Sequence, residues 1–506
     1  MRYFTASTTS ILALLAHLLL ISFAHADPQL TSWFTAGSTK YARIYTSTAN
    51  RAAGISTTTW TGQTSPTYAG VHEINYSPNW VYIKNSGLAP YVMGPWNNPN
   101  FPKNQGTVTG VYRFPRIPTI PTSKILTGMG SIGFLVDGVS IYNTSDGFSY
   151  STANNQDASP MTTFTGPGRN GDGVWNRDAW PNEKISFDYA LNHPQPSGQY
   201  HAHVTAIGVR YLLGDNVQYD ESTKNYSENT STAVFQHSPI IGWINDGLPL
   251  YGPYGYSDPM DTTSPVRRMI SGYVLRNGTY GTDNLALSSR TSLPRWAQLA
   301  QNKTTLASNQ FGPSVSTTYE LGHFSEDYDY LGDHGYTQGS NSTANGYTIL
   351  FDLNQYNARW CKTPEFPNGT WAYFTTITSS GSPWYPYNVG RWYYGSPTGG
   401  ASTTTAESNL VQYYKGATST TETWSSIPVT ASESTVTLKW NAVEGGTYQV
   451  STSTDLSSST WTPLSGTVTP AGNIGTKTDT VNTGTTPKKF YKITRTGIAA
   501  YDSVGY

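Results

Sequence analysis

The chain has 506 residues, a net charge of −1 and only 12% charged residues, about half the charged share usual in globular proteins. It has no Lys/Arg run, which argues against nucleic acid or an anionic membrane as partner, and its single cysteine, Cys361, excludes an intrachain disulfide. The 37 Tyr and 15 Trp, set among abundant Gly and 31 Pro, suit strands rich in aromatic residues joined by tight turns, so the expected class is mainly β.

In chain order, residues 1–26 read as a signal peptide. Arg2 supplies the positive end, Ile11 to Phe23 is an apolar run, and Ala24-His25-Ala26 fits small-x-small cleavage before Asp27. The run is shorter than the roughly 20 residues a span requires. A secreted, periplasmic or cell-surface protein with no membrane span after leader removal is the expectation. Residues 27–398 then read as one large β-rich domain, beginning with short strands such as Trp80-Val81-Tyr82-Ile83.

Gly128-Met129-Gly130-Ser131-Ile132-Gly133 spells a dinucleotide fingerprint, but strand-like residues follow where a helix would have to open, so it reads as a tight turn. Ser131 to Tyr142 reads as a hairpin turning at Asp137-Gly138. Helical periodicity is scarce and is best at Pro294 to Gln301. Residues 399–423, rich in Ser, Thr, Gly and Ala, read as a linker. Residues 424–497 carry short, evenly spaced strands and read as a small C-terminal β-sandwich similar to a fibronectin type III module, a spacer or adhesion unit like those appended to exported bacterial proteins.

The chemistry concentrates in histidines. His193, His201, His203 and His237 fall within about 45 positions of a chain with only 9 His. Side chains alternate along a strand, so His201 and His203 project to one face while Tyr200 and Ala202 project to the other. Two adjacent imidazoles are half of a metal site, which His193 or His237 can complete. Glu183 and Asp188, just upstream, are candidates for a carboxylate ligand or for orienting an imidazole. An imidazole-rich set suits zinc, copper or iron rather than magnesium or calcium. Asp246 to Tyr256 is a rigid aromatic turn sequence that reads as a loop packed between strands; its functional alternative is the lip of a ligand site, formed by Tyr200, Asp246, Tyr251, Tyr254 and Tyr256, with rings to stack on a sugar or other planar ligand. Glu326, Asp327, Asp329 and Asp333 form an acidic run that reads as a solvated loop, with calcium as its functional alternative. Cys361 reads as a buried small apolar residue.

Gln195 to His203, His237 to Trp243 and Asp246 to Tyr256 resemble the YHYH family, as do Gly87-Leu88-Ala89, Met93 to Trp96, Leu321 to Tyr328, Thr363 to Phe374 and Tyr385-Pro386-Tyr387. The resemblance extends over roughly residues 70–398 and implies no particular activity. This sequence departs from the family pattern in four places. Ala202 replaces the second Tyr of the signature, and no Cys lies near Ala190. Asp352-Leu353-Asn354-Gln355 lacks two carboxylates, and Asn357-Ala358-Arg359 stands for Asn-Gly-Arg.

Two functional readings stand side by side. In one, the histidines bind a transition metal in a centre suited to metal-dependent hydrolysis or oxidation. In the other, they are architectural, and the chain is a non-catalytic surface protein holding an extracellular glycan or small molecule.

Overall fold

The computed structural model describes residues 27–36, 40–97, 99–103, 111–158, 171–230, 235–402, 407, 410–415, 422–424, 429–431, 435–441, 446–455, 460–470, 474–481 and 489–498. Residues 1–26, read as a leader, lie outside this set. The described residues are mainly β, with short helices between the strands. None of those helices is long and apolar enough to cross a membrane.

An eight-stranded mixed sheet organises the larger part. Its spatial order is Ala358–Cys361, Thr370–Phe374, Pro249–Tyr251, Ile240–Ile244, Ser131–Leu135, Ser140–Tyr142, Tyr200–Ala202 and His193–Pro194. The Ile240–Ile244 strand is buried at every position, as expected of a strand covered on both faces. The Asp137-Gly138 hairpin forms as expected. Asp137 Oδ1 accepts the Val139 N–H at 3.1 Å, and Gly138 supplies the positive φ of 89° that the turn needs. The dinucleotide-like glycines lead into the Ser131–Leu135 strand, so no helix N-terminus faces a phosphate there. The expected helix spans Arg295–Gln301.

A five-stranded sheet has the order Gly400–Ser402, Val111–Pro115, Trp80–Asn85, Val71–Tyr76 and Val411–Lys415. Its two outer strands lie within 399–423, the stretch expected to be linker. Backbone pairing with Val111–Pro115 and Val71–Tyr76 explains the difference, because Ser/Thr-rich composition does not prevent an edge strand from completing a ladder. Val71, Ile74, Val81 and Ile83 share one core with Phe134, Ile141, Tyr200, Ala202 and Trp243 of the central sheet.

A second core gathers Trp175, Tyr273, Trp296, Phe324, Tyr385 and Tyr387. The C-terminal strands form a four-stranded and a three-stranded sheet, with a common core of Val436, Leu438, Trp440, Tyr448, Val450 and Ile493.

Candidate metal centre

The outermost pair of strands in the central sheet builds the site. His193–Pro194 runs antiparallel to Tyr200–Ala202, with His193 directly opposite His201. On its other side, Tyr200–Ala202 pairs in parallel with Ser140–Tyr142. Tyr200 and Ala202 go into the core, so His201 and His203 share the opposite face, as the alternation requires. All three histidines are buried.

Their Nε2 atoms converge. His201 Nε2 lies 3.0 Å from that of His193 and 3.1 Å from that of His203. The opposite ring nitrogens fix the tautomers. His201 Nδ1 lies 3.0 Å from the Gln199 carbonyl, and His203 Nδ1 lies 2.6 Å from the Asn143 carbonyl. A carbonyl only accepts, so both Nδ1 atoms carry the hydrogen. His193 Nδ1 lies 2.7 Å from Ser186 Oγ, whose own hydrogen goes to the Glu183 carbonyl at 2.8 Å. That hydroxyl therefore accepts from His193.

The assigned network leaves a bare lone pair on each of the three Nε2 atoms. Burial holds the rings neutral, pushing His193 down to about 2, His203 to about 4 and His201 well below its ordinary value. With no proton to share, the short Nε2 contacts are facing lone pairs rather than hydrogen bonds. Zinc–nitrogen bonds of 2.0–2.1 Å at tetrahedral angles place neighbouring nitrogens about 3.3–3.4 Å apart. The observed spacing is within about 0.4 Å of that edge, and the three imidazoles can hold a transition metal.

Glu183 stands beside them. It ends the Ala179–Glu183 helix, which Asp178 caps through the Trp180 N–H. Glu183 Oε2 lies 3.3 Å from His203 Nε2 and 3.7 Å from His193 Nε2, and it is buried with no hydrogen-bond partner. Burial, then the nearby Asp146 carboxylate, pushes its carboxyl up to about 8, against the pull of Arg177. A cation among the imidazoles would reverse that balance.

Surrounding groups hold the rings in place. Tyr142 stacks on His201 with centroids 4.0 Å apart, and Phe187 meets His193 edge-on at 4.5 Å. Asn388 Nδ2 donates to the carbonyls of His203 and Val204, both at 3.1 Å. Asn143, Ser186, Phe187 and Asn388 were not foreseen from sequence, since their spacing to the histidines carries no period or motif that would mark them.

Other candidate site residues lie elsewhere. His237 Nδ1 meets its neighbour's carbonyl, that of Ser238, at 2.8 Å, and its ring packs on Tyr251 and Tyr256. It is not one of the three converging imidazoles. Asp188 makes no contact with an imidazole. Its carboxylate accepts from the backbone of Gly94, Ala190 and Asn192 and from the Tyr200 hydroxyl, so it shapes the loop that carries His193.

The expected lip is not a surface. Tyr200, Asp246, Tyr251 and Tyr254 are buried, and Tyr256 is half-buried. Tyr200 donates to Asp188, and Tyr251 donates to Glu365 at 2.9 Å. Asp246 accepts from Tyr373 Oη and the Leu248 N–H. The stretch is the packed loop of the first reading, because buried partners for the polar tips allow the rings to pack inside.

The acidic run is likewise committed. Asp327 accepts two bonds from Arg290, both at 2.7 Å, and Glu326 accepts from Asn176. Asp329 lies within 3.5 Å of Arg276. Cys361 is buried, as its sequence context suggested.

A family model described as YHYH protein matches residues 111–387, more than half of the chain and inclusive of all three converging histidines. No curated protein and no solved structure matches the chain.

Proposed function

The chain belongs to the YHYH protein family, and we propose that it binds one transition-metal ion, zinc, copper or iron, through Nε2 of His193, His201 and His203 and uses it in metal-dependent hydrolysis. One observation carries this reading: three neutral imidazoles point bare Nε2 lone pairs at a common volume, with every Nδ1 hydrogen already given to an oxygen. Buried polar groups in folded proteins normally have partners, and a cation satisfies all three at once.

Three protein ligands leave a coordination position open, the pattern of catalytic rather than structural zinc. The ion supplies Lewis acidity. The chain supplies the rest. Ser186, Gln199 and Asn143 orient the imidazoles, Tyr142 and Phe187 wall the rings from bulk water, and Glu183 Oε2 stands on the side next to His203. A carboxylate there is placed to take the proton of a water attacking a substrate. The reading of residues 1–26 as a leader supports an extracellular or periplasmic setting.

Elemental analysis of the purified chain, chelated and then offered zinc, copper(II) or iron(II), tests the reading. One ion per chain, lost in His201→Ala, is expected. Failure to retain any of the three overturns it. Glu183→Gln separates binding from chemistry, because it should keep the ion and lose turnover on a panel of activated ester and phosphoester substrates.

A further inference from the structure

We infer that the central sheet is an internal duplication, and that its second copy carries a tethered cation, the guanidinium of Arg359, at the place where the first copy gathers its three imidazoles. Ile132, Gly133, Asp137, Gly138 and Tyr142 recur in order as Ile241, Gly242, Asp246, Gly247 and Tyr251. The two hairpins they build carry the same bulge, between Ser131 and Gly133 in one and between Ile240 and Gly242 in the other. They lie against each other about a pseudo-two-fold axis through the Phe134–Trp243 pair, with Gly133 opposite Ile244 and Leu135 opposite Gly242. Outside each hairpin comes a parallel strand and then an antiparallel edge strand.

The match extends to the turns before the edge strands. Asp188 Oδ1 accepts from the Ala190 and Asn192 N–H groups, and Asn354 Oδ1 accepts from those of Tyr356 and Ala358. Leu191 and Asn357 both take a left-handed backbone, with φ of 64° and 65°, which a leucine adopts only where the surrounding structure imposes it. Register then equates the two sites. Ala202 pairs with Ile141 and Tyr373 pairs with Leu250, so Ala372 and Phe374 stand where His201 and His203 stand. His193 lies opposite His201, and Arg359 lies opposite Ala372.

The fold therefore does not require the histidines, because the same positions accept Arg359, Ala372 and Phe374. Arg359 is only 4% exposed. Its guanidinium lies over the Phe374 ring, 5.2 Å from the centroid, and its Nη2 donates to the Tyr256 carbonyl at 2.8 Å. Tyr251, the counterpart of Tyr142, stacks on the other member of that pair, Phe374, with centroids 5.4 Å apart. A ring face attracts a cation more strongly away from water. Arg359 is thus a built-in charge at the place where the first copy presents three bare lone pairs to an ion from solution. That comparison rests on the proposed metal site, whereas the duplication and the role of Arg359 do not.

Thermal scans of the full chain in chelator test this, and the metal site is tested apart, by the shift on adding an ion to wild type. Arg359→Met should lower Tm by about 2 °C or more. A second comparison transplants the residues of the second copy into the first, in a Glu183→Gln background that prevents a new ion pair. There, His193→Arg/His201→Ala/His203→Phe should melt about 2 °C or more above His201→Ala/His203→Phe, which lacks the cation. An unchanged Tm in Arg359→Met, or no gain from adding His193→Arg, would overturn the inference. Arg359→Met alone decides it where the transplanted chains do not fold.

Discussion

His201→Ala is the sharpest perturbation of the metal centre, because His201 Nε2 is the atom that both other rings approach, at 3.0 and 3.1 Å. In wild-type protein both spacings from His201 Nε2 lie within about 0.4 Å of a tetrahedral edge, and all three donors lie within 4.8 Å of one another, so the ligands already converge before an ion binds. An ion bound to the folded state alone stabilises it by about 2.7 kcal/mol at a free concentration of 100 Kd. In a unit larger than 200 residues, that raises Tm by about 5 °C. The variant loses one of three ligands and should show less than about 1 °C of this shift. Without metal, the substitution has opposing effects: it removes the stack on Tyr142 but also relieves two lone-pair contacts. The apo variant should therefore fall by less than the holo variant. Thermal scans of chelated protein, with and without added zinc, copper(II) or iron(II), read all four states. A metal shift of wild-type size in His201→Ala, or none from any of the three ions in wild type, would refute the reasoning.

The remaining expectations concern the core around this centre. Burial raises the Asp137 carboxyl to about 7, so the folded state keeps a proton that the unfolded chain loses near pH 4. Its contribution to stability is full below about pH 4 and is lost as pH rises towards 7. Asp137→Asn should accordingly gain stability relative to wild type across that interval, and a Tm difference that stays constant from pH 4 to 8 would contradict it. Gly138→Ala places a Cβ at a φ of 89° and 2.7 Å from Asn85 Cβ, and should cost about 1–3 kcal/mol in denaturant unfolding. Ala202→Tyr restores the family's signature residue at a position with no exposed surface. Overpacking should cost about 1–3 kcal/mol or more, while metal uptake by elemental analysis stays at wild-type level.

How far the sequence disclosed this arrangement depends on which physical signal carried each part. Period-two alternation is local, and it placed His201 and His203 on one face with Tyr200 and Ala202 on the other, as the structure has them. The Asp137-Gly138 turn was legible for the same reason, because its backbone requirement is written in two adjacent residues. His193 and His237 were equivalent candidates by spacing, and only pairing distinguishes them. His193 lies opposite His201 in a ladder, whereas His237 packs among Tyr251, Tyr256 and Phe374. The same limit governs Glu183 and Asp188. Both are acids within ten residues before His193, but a helix end aims one at the imidazoles, while backbone N–H groups and Tyr200 occupy the other. The sequence left the Asp246 to Tyr256 stretch open between a packed loop and a binding lip, because Pro, Gly and Tyr together describe an exposed aromatic loop as well as a buried one, and the packed loop is what the structure has. What decides between them is whether each hydroxyl and carboxylate finds a distant partner, such as Tyr373 for Asp246 or Glu365 for Tyr251. Those partners lie more than 100 residues away in sequence.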